Sequence, residues 1–217
     1  MQHADMEPDD HYLTTPPWDI GHPQPSFRAL ADAGALRGRV LDAGCGTGEH
    51  ALMAASLGLD ATGVDLAANA LRRAAQKALE RGLTARFLRQ DARRLAEAGV
   101  SYDTVLDCGL FHLLAEPDRS QYVHSLRSVL PPGGRYFMLG FSEREPGDWG
   151  PRRLTRDDIT AAFERGWRID SLEPATLEIN IDPHDVHAWL LQATRTMPRW
   201  PQTPVASGAV GGWRTRR

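Results

Sequence analysis

Three carboxylates and three alternating glycines carry the most chemistry in this sequence. Val40-Leu41-Asp42-Ala43-Gly44-Cys45-Gly46-Thr47-Gly48-Glu49 runs from an apolar strand pattern through the glycines into a helix-like segment. Glycine lets the backbone turn tightly and meet a ligand with no Cβ in the way, and the helix that follows offers unpaired N–H groups and the positive end of its dipole. Ala61-Thr62-Gly63-Val64-Asp65-Leu66 brings a second carboxylate about 20 residues on, where nucleotide-binding α/β units grip a ribose diol. Ala85-Arg86-Phe87-Leu88-Arg89-Gln90 runs into a third, at Asp91-Ala92. Parallel strands end on one sheet edge, so the pattern predicts Asp42, Asp65 and Asp91 around one adenosine-containing ligand that bears a carboxylate.

The spacing separates two such ligands. A dinucleotide fingerprint reads G-x-G-x-x-G, whereas here Gly44, Gly46 and Gly48 alternate and no glycine stands at position 49. An acid before the glycines opposes a pyrophosphate but suits an ammonium or sulfonium. The pattern therefore favours S-adenosylmethionine over NAD, and the Tyr/Lys pair expected of an NAD-dependent oxidoreductase is not evident. Singly, each feature also reads as a strand-to-helix connection, a helix N-cap or a solvated strand end. Their order is what discriminates.

A glycine loop followed by acids at three successive strand ends resembles the class I S-adenosylmethionine-dependent methyltransferases over most of the chain. The resemblance implies that Asp42, Gly44, Gly46 and Gly48 surround the methionyl group, Asp65 with Leu66 the ribose, and Asp91 with Ala92 the adenine. Pro16-Pro17-Trp18-Asp19-Ile20-Gly21-His22-Pro23-Gln24-Pro25 holds a tryptophan with no periodic apolar partner, so it is expected to close over something. This stretch resembles the Pro-Trp-Asp-x-Gly arm of small-molecule methyltransferases acting on thiols, halides and quinone- or phenol-like hydroxyls. That likeness implies Trp18, Asp19 and Gly21 as cofactor and substrate pocket residues, with Tyr12 beside them.

Methyl transfer from a sulfonium asks the protein to align a nucleophile, exclude water and remove a proton where the nucleophile carries one. No metal is needed. His184, Asp185 and His187 sit in a polar turn and read as solvated side chains. Asp107-Cys108-Gly109-Leu110-Phe111-His112-Leu113-Leu114 leaves the same predicted edge, which puts Cys108 against the cofactor and Phe111 and His112 against the acceptor. His112, with an ordinary pKa near 6.5, is the candidate general base. Its apolar frame equally suits a packing histidine. Asp19 is the alternative base, and Trp149 the candidate far wall. The expected reaction is methylation of an oxygen or sulfur of a small molecule, a phenol, quinol or thiol, with a non-catalytic cofactor-binding protein as the alternative.

These side chains need a doubly wound, Rossmann-like α/β sheet of seven strands. Strands are predicted at Val40–Asp42, Ala61–Asp65, Ala85–Gln90, Tyr102–Asp107 and Arg135–Phe141, with helices Gly48–Leu57, Ala67–Arg81 and Arg119–Leu130 between. Thr155 and Asp158 predict a capping box opening a further helix that Gly166 ends. Trp167–Ile181 and Val186–Thr194 read as a hairpin with one strand antiparallel to the rest. The division expected is an arm or lid with a short helix over residues 1–34, a methyltransferase domain over 35–196 and a frayed tail over 197–217. A net charge of -3 disfavours a nucleic-acid substrate despite Arg214, Arg216 and Arg217. Two cysteines and no long apolar run point to a reduced, cytoplasmic protein with no membrane partner.

Overall fold

The computed structural model describes residues 7–182 and 184–197. The expected tail, Met197 excepted, lies outside them. α1 (Pro25–Asp32) opens on a proline whose fixed φ and missing N–H suit a first helical turn, and it buries Phe27, Leu30 and Ala31 at the expected spacing. β1 (Arg39–Ala43) follows, and its last four residues are all buried because both faces of the sheet are covered. α2 (Glu49–Ser56), β2 (Asp60–Asp65), α3 (Ala68–Glu80), β3 (Ala85–Arg89), β4 (Thr104–Cys108), α4 (Asp118–Val129) and β5 (Arg135–Phe141) continue the alternation. α5 (Arg156–Ala162) carries the predicted capping box, with Thr155 and Asp158 each bonded to the other's backbone. β6 (Trp167–Glu178) and β7 (Asp185–Arg195) form the hairpin.

The seven strands make one sheet in the order β3-β2-β1-β4-β5-β7-β6. β1 to β5 run parallel, β7 pairs antiparallel with β5, and β6 pairs antiparallel with β7. β7 is therefore the one reversed strand. The chain steps from β1 outward to β3 and returns to β4 on the other side of β1, so the carboxyl ends of β1 and β4 part around a crevice.

Period-two alternation splits the core between the two faces. Val105, Tyr136 and Met138 join Tyr122 and Leu126 of α4 and Ile159 of α5 on one side. Leu106, Phe137 and Leu139 join Phe27 of α1 and Met53 of α2 on the other. Two 3-10 stretches, Ala92–Ala98, which is kinked at Arg94, and Phe111–Leu113, lie outside the sequence pattern, because turns this short display no helical period. Among the described residues no helix is long and apolar enough to cross a membrane.

Candidate functional site

The glycine loop is shaped from both sides. Gly46 has φ 51°, and a Cβ there would stand 2.8 Å from the Tyr12 hydroxyl, so the loop's outer surface is kept bare where the arm comes down on it. Gly48 answers a different need. A Cβ there would meet Ala74 and Phe87 at 2.8 Å, so this glycine lets α2 close onto α3 and β3. Gly44 faces Leu110, which brings the loop after β4 against the loop after β1.

The three acids share the sheet edge as predicted, at the ends of adjacent strands in the order β3, β2, β1. Asp42 is 1% exposed. Its Oδ2 accepts the Ala51 N–H at 3.0 Å, while its equally buried Oδ1 has no donor. Burial, reinforced by the charges of Asp65 and Asp107 and opposed by the Ala51 bond, pushes its pKa up to about 7. A buried carboxylate oxygen left without a donor costs on the order of 1–3 kcal/mol, which a ligand ammonium would relieve. Asp65 accepts the Gly46 N–H at 2.8 Å on one oxygen and the Ala67 N–H at 2.9 Å on the other. Each oxygen keeps a lone pair for a hydroxyl. Burial raises this carboxyl above its ordinary range.

Asp91 differs. Arg93 bonds both of its oxygens and holds its pKa down, and its backbone-bonded oxygen caps the 3-10 stretch over buried Ala92. Leu66 stays 41% exposed beside Asp65, an apolar surface at the position predicted for the nucleoside. The residues fit a ligand that carries a cation to the end of β1 and hydroxyls to the end of β2.

The arm is fastened over this edge. Trp18 donates from Nε1 to the Tyr12 hydroxyl at 3.2 Å, and Arg73 donates to the Tyr12 and Thr14 carbonyls. Tyr12 thus roofs Gly46, which moves it from the acceptor pocket expected from sequence to the cofactor loop. Asp19 accepts the Thr47 hydroxyl at 2.7 Å and lies 3.7 Å from Lys77 Nζ. Lys77 also donates to Thr47 and to Glu49, which Arg81 grips from the other side. This corrects the alternative-base reading of Asp19: its carboxylate fixes the arm to the glycine loop and faces cations instead of an acceptor. Gln24 makes two 2.9 Å bonds to the Glu178 backbone, completing the arm's attachment.

Beyond β4 the edge changes character. Asp107 is fully buried, its Oδ1 accepting the Leu110 and Phe111 N–H groups and its Oδ2 the Tyr122 and Tyr136 hydroxyls. Burial, opposed by these four donors, sets its pKa up to about 6. It locks the turn that carries His112. His112 Nδ1 accepts the Phe141 N–H at 3.0 Å, and burial pushes the imidazole down to about 4. The ring meets Phe141 edge-on at 6.0 Å, and Phe141 meets Trp149 edge-on at 5.3 Å, so His112, Phe141 and Trp149 form one wall. Phe111 turns the other way. It is fully buried against Phe163 with the Arg119 guanidinium 5.0 Å over its ring, so it is a core residue and not the acceptor contact expected, because successive residues of a 3-10 turn point about a third of a turn apart. Cys108 sits half-buried at the end of β4, its thiol pushed up by burial and by Asp42 and Asp107.

Sequence reasoning missed Asp107, Phe141, Thr47 and Lys77. Asp107 carried a signal, being a fourth acid at a strand end. Lys77 lies 30 residues from Thr47 on a helix face that looked solvated, and nothing local announced it.

Residues 40–134, from β1 to the residue before β5, match the family described as "Methyltransferase domain". The chain is 34% identical over 179 residues to 2-heptyl-1-hydroxyquinolin-4(1H)-one methyltransferase of Mycobacteroides abscessus, covering 81% of this chain and 79% of that one. A solved structure concerned with conversion of a disulfide bond into a thioacetal group during echinomycin biosynthesis is 36% identical and superposes with a TM-score of 0.79 over 87% of this chain and 91% of the other. Magnesium protoporphyrin IX methyltransferase of Synechocystis PCC 6803, solved with bound SAM, shares the fold at 24% identity and a TM-score of 0.62, over 79% of this chain and 76% of that one.

Proposed function

The chain belongs to the S-adenosylmethionine-dependent methyltransferases, and from that membership we propose that it methylates an oxygen or a sulfur of a small molecule, a phenol, quinol or thiol. Its cofactor is S-adenosylmethionine, and membership sets the NAD-dependent reading aside. When bound, the cofactor supplies a methyl group on a positively charged sulfur. Asp42 receives the ammonium on its donorless oxygen, Asp65 the ribose hydroxyls on its spare lone pairs, and Asp91 with Leu66 borders the adenine. Tyr12 covers the loop at Gly46, held there by the Trp18 bond to its hydroxyl, and excludes water. Such a site accelerates transfer by holding the nucleophile close and in line with the methyl.

The observation that carries the acceptor class is the edge-to-face row of His112, Phe141 and Trp149 beyond β4 and β5, aromatic side chains suited to packing a small planar ring. The hydroxyquinolone relative supports oxygen, and the thioacetal-related structure supports chemistry at sulfur. Incubation of the purified protein and S-adenosylmethionine with phenols, quinols, thiols and amines, read by mass spectrometry, tests this. One added methyl on oxygen or sulfur acceptors is expected. Product from amines alone, or cofactor binding without transfer to any acceptor, overturns it.

A further inference from the structure

We propose that His112 is a hydrogen-bond donor to the acceptor and not a base, so that the preferred substrate is an acidic aromatic hydroxyl that meets the Nε2–H group as its oxygen anion. This rests on the methyl-transfer reading above and narrows its acceptor to oxygen.

The ring's tautomer carries the argument. A backbone N–H can only donate, so the 3.0 Å bond from Phe141 to Nδ1 consumes that nitrogen's lone pair. The neutral ring then keeps its proton on Nε2. Acting as a base at Nε2 would require the proton to move to Nδ1, turning two N–H groups toward each other inside the protein. The turn cannot swing away to avoid this, because Asp107 bonds the Leu110 and Phe111 amides and Gly109 donates to the Leu139 carbonyl at 3.0 Å.

The donor edge is also left free of a protein partner. Among the described residues no protein acceptor is placed on Nε2, although His112 is only 7% exposed. Gly109 lies alongside at φ 86°, and any Cβ there would come within 3.4 Å of Nε2. The nearest titratable neighbours on the same loop are Asp107, occupied by four donors, and Cys108, held as a thiol. Burial alone accounts for the ring staying neutral.

The hydroxyl loses its proton to solvent on binding, an O–C bond forms as the S–C bond breaks, and the electron pair of that bond stays on sulfur. No proton passes to His112. An N–H bonded to an oxygen anion is a charge-assisted bond, whereas a thiolate accepts weakly and an amine's only lone pair would be blocked.

The probe is 4-nitrophenol, whose ionised form absorbs at longer wavelength, titrated on the protein with S-adenosylhomocysteine present. In the wild type its bound pKa is expected to fall by about one unit, a tenfold bias toward the anion. His112→Gln, which keeps a donor and cannot be a base, retains most of that shift, and His112→Ala loses it. Ring nitrogen NMR is expected to show Nε2 protonated. In turnover, the rising limb of kcat/KM against pH moves with the pKa of the phenol supplied. A limb fixed in pH across phenols, His112→Gln as inactive as His112→Ala, a protonated Nδ1, or binding of nitrophenolate no tighter in the wild type than in His112→Ala overturns the proposal. Intact nitrophenol titration with no methyl product from any hydroxyl overturns the oxygen-transfer reading instead and leaves the donor role standing.

Discussion

The two halves of the crevice are built from different materials. Below β1 to β3, carboxylates and backbone amides meet: Asp65 holds Gly46 and Ala67, Asp42 holds Ala51, and each acid lies within nine to nineteen residues of the amide it holds on the glycine loop and α2. Below β4 and β5, aromatic faces and one imidazole meet, joined across 29 residues by the His112–Phe141 bond. The first half is polar and set by backbone geometry that side-chain changes elsewhere hardly disturb. The second is a side-chain surface that substitution can reshape without disturbing the strands. One half can therefore hold a fixed cofactor while the other varies its acceptor.

Breaking the cofactor half should cost most. Asp65→Ala removes the oxygens proposed to accept the ribose and orphans the Gly46 and Ala67 amides, and calorimetry should show S-adenosylmethionine affinity falling by roughly 2–4 kcal/mol, about 30- to 1,000-fold. Nitrophenolate binding should change little. If both ligands are lost together, the halves are not separable.

The acceptor half has its own foundation in Asp107. Tyr136→Phe strips a 2.7 Å donor from this buried carboxylate and should lower stability by about 1.5–3 kcal/mol, a fall in Tm of roughly 4–9 °C by calorimetry. Acceptor KM should rise while cofactor affinity holds.

A pH series sharpens the contrast further. Asp42 is raised to about 7, and the cofactor's ammonium favours its ionised form, so affinity should weaken about tenfold per unit as pH drops below 7, with proton release on binding at neutral pH. Asp42→Asn should flatten this dependence. In the ligand-free protein the sign is opposite: with folded pKa values raised, the stability that Asp42 and Asp107 contribute is full below about 4 and is lost as pH rises through about 6 and 7. Denaturant titrations across that range measure it.

The smallest effect belongs to the latch between arm and loop. Lys77 is partly exposed, so its pairs with Asp19 and Glu49 are screened, and Lys77→Met should cost about 0.5–1 kcal/mol. Cofactor KM should rise roughly two- to fivefold with kcat unchanged, and Lys77→Arg should restore it.

The strands of the sheet and the three edge acids were legible because their signals are local: an apolar run, a glycine or an acid at its end, a helix after it. The hairpin of β6 and β7 was legible for the same reason. Asp19 and Phe111 misled because a residue type was visible and its direction was not. Phe111 and His112 are neighbours in sequence and both are buried, yet a 3-10 turn sends one against Phe163 and the other to Phe141 of β5. His112 was found by its position, but its role turns on an amide of β5 that no spacing rule connects to it.

One consequence concerns traffic. The residues before β1 are tied at α3, where Asn69 bonds Asp9 and Arg73 bonds Tyr12, and again past β6, where Asn180 bonds Pro16 and Asp19. β3 and β6 are the outermost strands, so this belt is buckled at opposite margins of the sheet. On the cofactor placement proposed above, spent donor at the Tyr12-covered loop would wait for one buckle to open, whereas an acceptor held at Trp149 would meet neither. Demethylated cofactor should then be the slower of the two products to depart.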